Sequence, residues 1–324
     1  MKQLSALLVG LALLMAPADS HAQRELKIGT SKFGTLSNAL AQAVAFVATL
    51  ATPGTRFTPQ AHTGSADVIP IVNSGEIEFG ITLSAEAANP FTPAPDIRAI
   101  MRVSEFASGF LVRRDSPIVS IQDVRGKRVA GRFTSIPVFA PILGGALQSS
   151  AGFGWQDVRE VPVGGVNEGL EALLAGRVDV AAAAPAAGAV REANASVGIR
   201  YLQLDCSPGG QERFRTAVPR VSLRVVRVGV LTEDTCVIIL TTTLFAHAAL
   251  PAKPVQEILR AVWEGYGKLT GMHPAFRGQE REYMFDPDPP RPYHPAAVEF
   301  YREHGLWSKS MDAVQRQLLK SRPH

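Results

Sequence analysis

Short strand-like runs alternate with longer helical runs along most of the chain. Residues 25–29 (ELKIG) predict a first strand. Residues 37–50 then predict a helix, because small apolar residues fill a helical length that Pro53-Gly54 ends. Regular alternation of strands and helices is typical of α/β proteins, and we expect mainly parallel sheets flanked by helices.

The predicted strands are residues 25–29, 56–61, 77–82, 97–103, 109–112, 127–130, 157–163, 178–183, 199–204, 222–231 and 235–241. The predicted helices are residues 37–50, 65–74, 137–150, 166–174, 254–266, 294–304 and 312–320.

One local pattern occurs twice: a helix, a glycine, a charged residue and an apolar strand. It covers residues 69–81 and again residues 170–182, which implies two similar halves. A length of 324 residues also suits two domains of roughly 150 residues each. We predict a discontinuous lobe I of residues 23–113 plus 222–324, with lobe II, residues 114–221, inserted in it.

The N-terminus resembles a cleaved secretory signal. Lys2 precedes an apolar run at residues 6–16, and Ser20-His21-Ala22 offers small residues where a signal peptidase cleaves. The apolar run is shorter than the roughly 20 residues of a spanning helix. The sequence therefore predicts a signal peptide at residues 1–22 and a periplasmic protein.

Charge and cysteine content narrow the class further. The formal charge is +4, from 33 basic and 29 acidic residues that are scattered along the chain, which argues against nucleic-acid binding. Cys206 and Cys236 either form one disulfide in an oxidising compartment or remain buried thiols. The sequence leaves both alternatives open.

Familiar catalytic patterns are absent from the sequence. It contains no G-x-S-x-G, H-E-x-x-H, C-x-x-C or P-loop motif, and its seven histidines do not lie at metal-ligand spacing. We therefore expect no metal, no cofactor and no enzyme activity.

Loops rich in Gly, Ser and Thr lie between predicted strands and the helices that follow them. Ligands of open α/β sheets bind at this edge, where helix N-termini offer unpaired N–H groups. Hydroxyls and N–H groups suit a carboxylate, and an aromatic ring packs on the apolar part of a ligand. The candidate ligand-binding residues are Thr30, Ser31, Phe33, Gly34, Thr35, Gly64, Ser65, Ser84, Arg132, Phe133, Thr134, Ser135 and Pro185.

Three of these assignments have structural alternatives. Ser65 suits a ligand contact or only the cap of the following helix. Residues 29–35 suit a ligand loop or an ordinary tight turn with a helix cap. Arg132 suits bidentate pairing with an anion or a solvated surface position.

The order of several motifs resembles the TAXI solute-binding receptors of tripartite ATP-independent periplasmic (TRAP) transporters. The motifs that carry the resemblance are KIGTSKFGT at 27–35, TGSADVIPIVNSGEIEF at 63–79, VSIQDVRGKRVA at 119–130, residues 173–179 and YHPAAVEFYREHGLW at 293–307.

The resemblance implies a type II-like, two-lobed periplasmic binding protein fold with hinge strands between the lobes. It implies a monomeric receptor that closes on a small carboxylate-bearing solute, an amino acid or a dicarboxylate such as glutamate. The receptor would deliver this solute to the membrane permease of a TRAP transporter. The alternatives are a periplasmic sensor that presents its ligand to a membrane histidine kinase and, less favoured, a secreted enzyme.

Overall fold

The computed structural model of the protein describes residues 23–88 and 93–320. Within these residues the strands are β1 (Arg24–Thr30), β2 (Thr55–Ala61), β3 (Phe79–Leu83), β4 (Ile97–Arg113), β5 (Arg128–Gly131), β6 (Arg159–Pro162), β7 (Ala181–Ala183), β8 (Ile199–Tyr201), β9 (Ser222–Val226) and β10 (Thr235–His247).

The α-helices in the same residues are α1 (Leu36–Ala51), α2 (Ser65–Asn73), α3 (Ser84–Ala87), α4 (Phe139–Ala151), α5 (Val166–Leu174), α6 (Gly188–Ser196), α7 (Pro208–Ala217), α8 (Ala252–Met272), α9 (Pro295–Glu303) and α10 (Lys309–Lys320).

The main sheet is mixed, where the sequence predicted mainly parallel sheets. Its strand order is β2-β1-β3-β10-β4-β7, with β8 also paired to β4 and β9 to β10. β1 pairs in parallel with β2 and β3, whereas β10 runs antiparallel to β3, β4 and β9. β7 and β8 also pair antiparallel to β4. The difference arises because two long strands cross the sheet in opposite directions.

Two hydrophobic cores lie at opposite ends of these long strands. The first core gathers β1 to β3, the start of β4, α1 and the C-terminal helices around residues such as Ile28 and Phe79. The second gathers β5 to β8 and α4 to α7 around residues such as Phe110 and Leu143. The parts packed around them are called the first and second lobes below.

β4 and β10 join the two lobes. Met101 of β4 belongs to the first core and Val112 of β4 to the second. β10 runs in the opposite direction, so its earlier residue Ile238 belongs to the second core and its later residue Leu244 to the first. The two strands pair along most of their length, so each supports the other where the chain passes between the lobes. The predicted hinge strands are therefore present.

The domain boundaries stay a prediction, but the packing bears on one segment. Residues 222–240 were assigned to lobe I, yet Leu223, Cys236 and Ile238 pack in the second core. The chain returns from the second lobe to the first only along β10, so β9 and the first half of β10 still pack in the second lobe.

The cysteines form a disulfide. Cys206 lies before α7 and Cys236 lies on β10, with 5.8 Å between their Cα atoms. The bond therefore ties the segment before α7 to one of the strands that join the lobes.

The segment at 293–307 is a structural anchor. His294 is 3% exposed and caps α9: its Nδ1 accepts the N–H of Ala296 at 3.2 Å, and its Nε2 lies 2.9 Å from the carbonyl of Leu250. Burial lowers the pKa of His294 below its ordinary value. Tyr301 donates to the carbonyls of Ile100 and Met284, both at 3.0 Å. These contacts attach the C-terminal helices to β4.

The predicted signal peptide at residues 1–22 lies outside the described residues. Among residues 23–88 and 93–320, no helix is long and apolar enough to cross a membrane.

Candidate functional site

The first candidate loop follows β1 and leads into α1. Thr30 is fully buried and Ser31 is 5% exposed, so the strand end is enclosed. Gly34 has φ +82°, a left-handed turn that glycine adopts without strain. Thr35 caps α1: its Oγ1 accepts the N–H of Asn38 at 3.3 Å. Phe33 is 75% exposed on this loop, so its ring lies open to solvent.

Three buried polar atoms at this end of the first lobe lack partners within the described part of the chain. They are Thr30 Oγ1, Asn38 Nδ2 and His62 Nε2. The main-chain N–H of His62 donates to the Thr30 carbonyl at 2.8 Å, so the ends of β1 and β2 lie side by side. A buried polar atom without a hydrogen bond is unfavourable, and such atoms are expected where a ligand supplies the missing bond.

The second candidate loop ends at the N-terminus of α2 and contacts the second lobe. Gly64 is the N-cap, with its N–H 3.3 Å from Asp67 Oδ2, and Ser65 is the first helical residue. A Cβ atom on Gly64 would collide with the carbonyl of Ser135 and lie 2.7 Å from its Cβ. Only glycine allows the two lobes to approach this closely at residue 64.

The third candidate loop follows β3, and its side chains bond to neighbouring residues of the protein. Ser84 starts α3, and its hydroxyl lies 2.7 Å from the Thr243 hydroxyl of β10. Thr82 donates to Glu86 Oε2 at 2.9 Å. The Ser84 hydroxyl is thus bonded to a strand that joins the lobes, although the sequence assigned it to ligand binding.

The second lobe contributes the loop that follows β5. Thr134 and Ser135 donate their hydroxyls to the Gly164 carbonyl at 3.4 and 2.6 Å. The ring of Phe133 is 2% exposed and packs edge-on against Phe139, with centroids 5.1 Å apart. We predicted that this ring packs on the ligand, whereas in the structure it packs in the second core.

Arg132, the candidate anion-binding residue, pairs with a carboxylate. Its Nε lies 2.9 Å from Glu160 Oε2, and its side chain is 70% exposed. The last candidate from this lobe, Pro185, is buried, and its carbonyl accepts the N–H of Val230 at 3.1 Å.

A further loop at Gly164-Gly165 was missed in the sequence analysis. Gly165 is the N-cap of α5, and a Cβ there would lie 2.9 Å from Ser135 Oγ. Ser135 therefore lies between the N-termini of α2 and α5, one from each lobe. The signal was available, because Gly164-Gly165 stands between a predicted strand and a predicted helix, as in the other loops.

One ion pair joins the loops across the lobes. Lys32 Nζ of the first loop lies 3.1 Å from Glu168 Oε1 in the first turn of α5, and both side chains are nearly half exposed. Together with the contact between Gly64 and Ser135, this pair shows the facing loops in a closed arrangement. We call the region between residues 30–35 and 62–65 on one side and 131–135 and 164–168 on the other the interlobe cleft.

A cavity of about 660 Å³ opens beside the cleft on the first lobe. It is lined by Ala61, His62, Thr63, Asp67, Pro70 and Ile71. No group of three or more His, Cys, Asp or Glu residues that could hold a metal ion occurs in residues 23–88 and 93–320.

Two lobes with separate cores, joined by two long strands and closed over a set of loops, define the two-lobed periplasmic binding protein fold. The periplasmic aliphatic sulphonate binding protein SsuA from Escherichia coli has this fold with a TM-score of 0.51 and 16% identity, over 92% of this chain and 86% of its own. The chain belongs to the NMT1-like family, whose model matches residues 28–305.

Other solved structures are similar at comparable distance. An R. palustris protein with adipate has a TM-score of 0.55 and 14% identity, over 92% of this chain and 97% of its own. MatC from Rhodopseudomonas palustris with bound malate has a TM-score of 0.52 and 16% identity, over 78% of this chain and 88% of its own. No curated protein is significantly similar in sequence to this chain. At these identities the neighbours establish the fold.

Proposed function

We propose that the protein is a periplasmic receptor that captures a small carboxylate-bearing solute between its lobes and delivers it to a TRAP-type membrane permease. The observation that carries the proposal is the set of buried, unpartnered polar atoms of Thr30, Asn38 and His62 beside the facing loops of the interlobe cleft. A bound solute would supply the hydrogen bonds that these groups lack within the described residues.

The proposed mechanism is hinge closure. β4 and β10 join the lobes, and a solute that contacts both lobes favours the closed state by its differential affinity for it. Gly64 against Ser135 and Lys32 against Glu168 are contacts that form only when the facing loops meet. They would add to the stability of the closed state with its solute.

The chemistry of the cleft supports an anionic group. The Asn38 amide nitrogen donates only, and the Thr30 hydroxyl donates or accepts. The N-termini of α2 and α5 face the cleft with their positive dipole ends. Adipate and malate in two structural neighbours are carboxylates, which suits the same assignment. An amino acid or a dicarboxylate such as glutamate fits this description.

The partner and the location follow from the resemblance to TAXI receptors. The proposal is a monomer in the periplasm, released from a signal peptide at residues 1–22, that presents its closed form to the permease. Neighbouring genes for transporter membrane subunits would support delivery, whereas a neighbouring histidine kinase gene would favour sensing.

The experiment is a thermal-shift screen of the protein from Gln23 onward against amino acids, dicarboxylates, keto acids and sulfonates. A ligand at 100 times its Kd adds about 2.7 kcal/mol to the free energy of unfolding. A shift confined to carboxylates, with a smaller radius of gyration in X-ray scattering, supports the proposal. A shift with sulfonates alone refutes the carboxylate assignment, and mass spectrometry of denatured protein detects a solute retained from the host.

A further inference from the structure

Arg132 has an unusual backbone conformation. It follows β5 directly and has φ 46°, in the left-handed region that L-residues other than glycine seldom adopt. Such a conformation persists only where the surrounding structure holds it, and it is more frequent at functional sites than elsewhere.

Glu160 of β6 holds this conformation. Its Oε1 accepts the main-chain N–H of Arg132 at 2.9 Å, and its Oε2 accepts the side-chain Nε at 2.9 Å. The Glu160 side chain is 17% exposed, so the carboxylate is largely enclosed. One carboxylate therefore fixes both the backbone and the side chain of Arg132.

Gly131 makes room for this carboxylate. A Cβ atom at residue 131 would lie 2.6 Å from both Cγ and Oε1 of Glu160. The space that a side chain would take at this position is filled by the Glu160 side chain. Gly131, Arg132 and Glu160 thus form one unit at the end of β5.

The unit leaves the end of the guanidinium open. Arg132 is bonded through Nε, and its Nη1 and Nη2 make no hydrogen bond to any residue in the described ranges. Arg132 belongs to the side of the interlobe cleft formed by residues 131–135, and three residues further along the same loop Ser135 meets Gly64. Two free Nη groups in a fixed plane are the donor arrangement that grips a carboxylate with two parallel bonds.

We propose that Glu160 is the positioning residue of the solute site: it holds Arg132 in its left-handed turn so that Nη1 and Nη2 face the carboxylate of the solute. This inference rests on the proposed function, because it takes the solute to be a carboxylate bound in the interlobe cleft.

The proposal and a plain surface ion pair predict opposite effects for Glu160→Gln. If Glu160 only neutralised Arg132, removing its negative charge would leave anion binding unchanged or strengthen it. If Glu160 positions Arg132, the same change weakens binding, because a neutral amide has one acceptor for two donors. The sign of the effect separates the two roles.

The experiment measures glutamate, malate and adipate binding by calorimetry to the protein from Gln23 onward. We expect Arg132→Ala to raise Kd about 10- to 150-fold and Glu160→Gln to raise it about 2- to 13-fold. Glu160→Gln in the Arg132→Ala background should add nothing, because the positioned group is gone. Arg132→Lys keeps the charge without the Nε bond, so it too should raise Kd, whether or not the Glu160 variants fold.

Asp157→Asn is the matched control, because Asp157 pairs with Arg125 in the segments just before β6 and β5 begin. It should leave Kd unchanged. Suppose that wild type binds a carboxylate and that Glu160→Gln has the same Kd. This result overturns the positioning role alone, and an unchanged Kd in Arg132→Lys does so if the Glu160 variant does not fold. Absence of binding by all three carboxylates to wild type refutes the carboxylate function and the positioning role with it.

Discussion

Removing the hydroxyl of Thr30 is a test of whether the interlobe cleft binds a solute. Thr30 is fully buried at the end of β1, and its Oγ1 has no partner in the part of the chain that the structure describes. Valine has nearly the same shape as threonine, so Thr30→Val removes the hydroxyl with little change in packing.

The substitution should change stability and affinity in opposite directions. Leaving a buried hydroxyl unbonded costs about 1–3 kcal/mol, so the ligand-free variant should be more stable than wild type by up to that amount. A hydrogen bond to a charged solute contributes about 1.5–3 kcal/mol, so Kd should rise roughly 10- to 150-fold. If the group bonded to Thr30 is neutral, the loss is about 0.5–1.5 kcal/mol.

Thr55→Val is the matched control. Thr55 is 4% exposed at the start of β2 in the same lobe, and its Oγ1 accepts from Arg24 at 3.3 Å. This variant loses a bond that is already made, so we expect lower stability by about 1 kcal/mol and unchanged Kd.

The assay combines urea unfolding without solute and calorimetry with the carboxylate that gives the largest thermal shift. The reasoning is refuted if Thr30→Val lowers the stability of the free protein while Kd stays at the wild-type value. That result would mean that the hydroxyl is bonded within the protein and that no solute reaches it.

Three further predictions concern closure, pH and the disulfide. Lys32→Ala should raise the solute Kd measured by calorimetry about 1.4- to 5-fold at low salt, and adding Glu168→Ala to this variant should raise Kd no further. At 1 M salt the rise in Kd should vanish. Additive effects of the two substitutions would contradict the ion pair. Because burial holds the pKa of His294 below its ordinary 6.5, the unfolded chain takes up the proton first as pH falls, so this residue reduces stability progressively below about pH 6.5. His294→Asn should weaken this pH dependence in urea unfolding at pH 5 and 7.5, and an unchanged slope would assign it to other groups. Replacing Cys206 and Cys236 by serine opens a loop with a sequence separation of 30 residues and should cost about 3–4 kcal/mol of unfolding free energy, measured against wild type with and without reductant; equal stability would refute the structural role of the bond.

Elements with clear local signals were predicted well from the sequence. α5 was predicted at residues 166–174, the bounds it has in the structure, because glycines flank a short amphipathic segment. β10 was predicted at 235–241 but extends to His247. Thr242 and Thr243 continue the strand, and both are buried where they pair with β3 and β4.

Three helices, α3, α6 and α7, were not predicted, and the local sequence explains why α7 was missed. Pro208-Gly209-Gly210 reads as a turn, but it forms the first turn of α7. Ser207 caps the helix by accepting the N–H of Gly210 at 3.1 Å, and Arg213 reaches back to Asp205 at 2.7 Å. These contacts outweigh the low helix propensity of the two glycines.

From the sequence we could predict the α/β class, the order of most elements and the positions of the loops at the strand ends. These features depend on hydrophobic periodicity and on local breakers such as Gly and Pro, which act over a few residues.

The side chains that contact one another could be identified only from the folded chain. Lys32 and Glu168 are 136 residues apart, and Arg132 and Glu160 are 28 apart, so no local pattern links them. The same holds for the pairing of Cys206 with Cys236 and for the unpartnered hydroxyl of Thr30. Hydrogen bonds, ion pairs and disulfides form where folding brings distant segments within a few ångströms, and that proximity is a property of the packed chain.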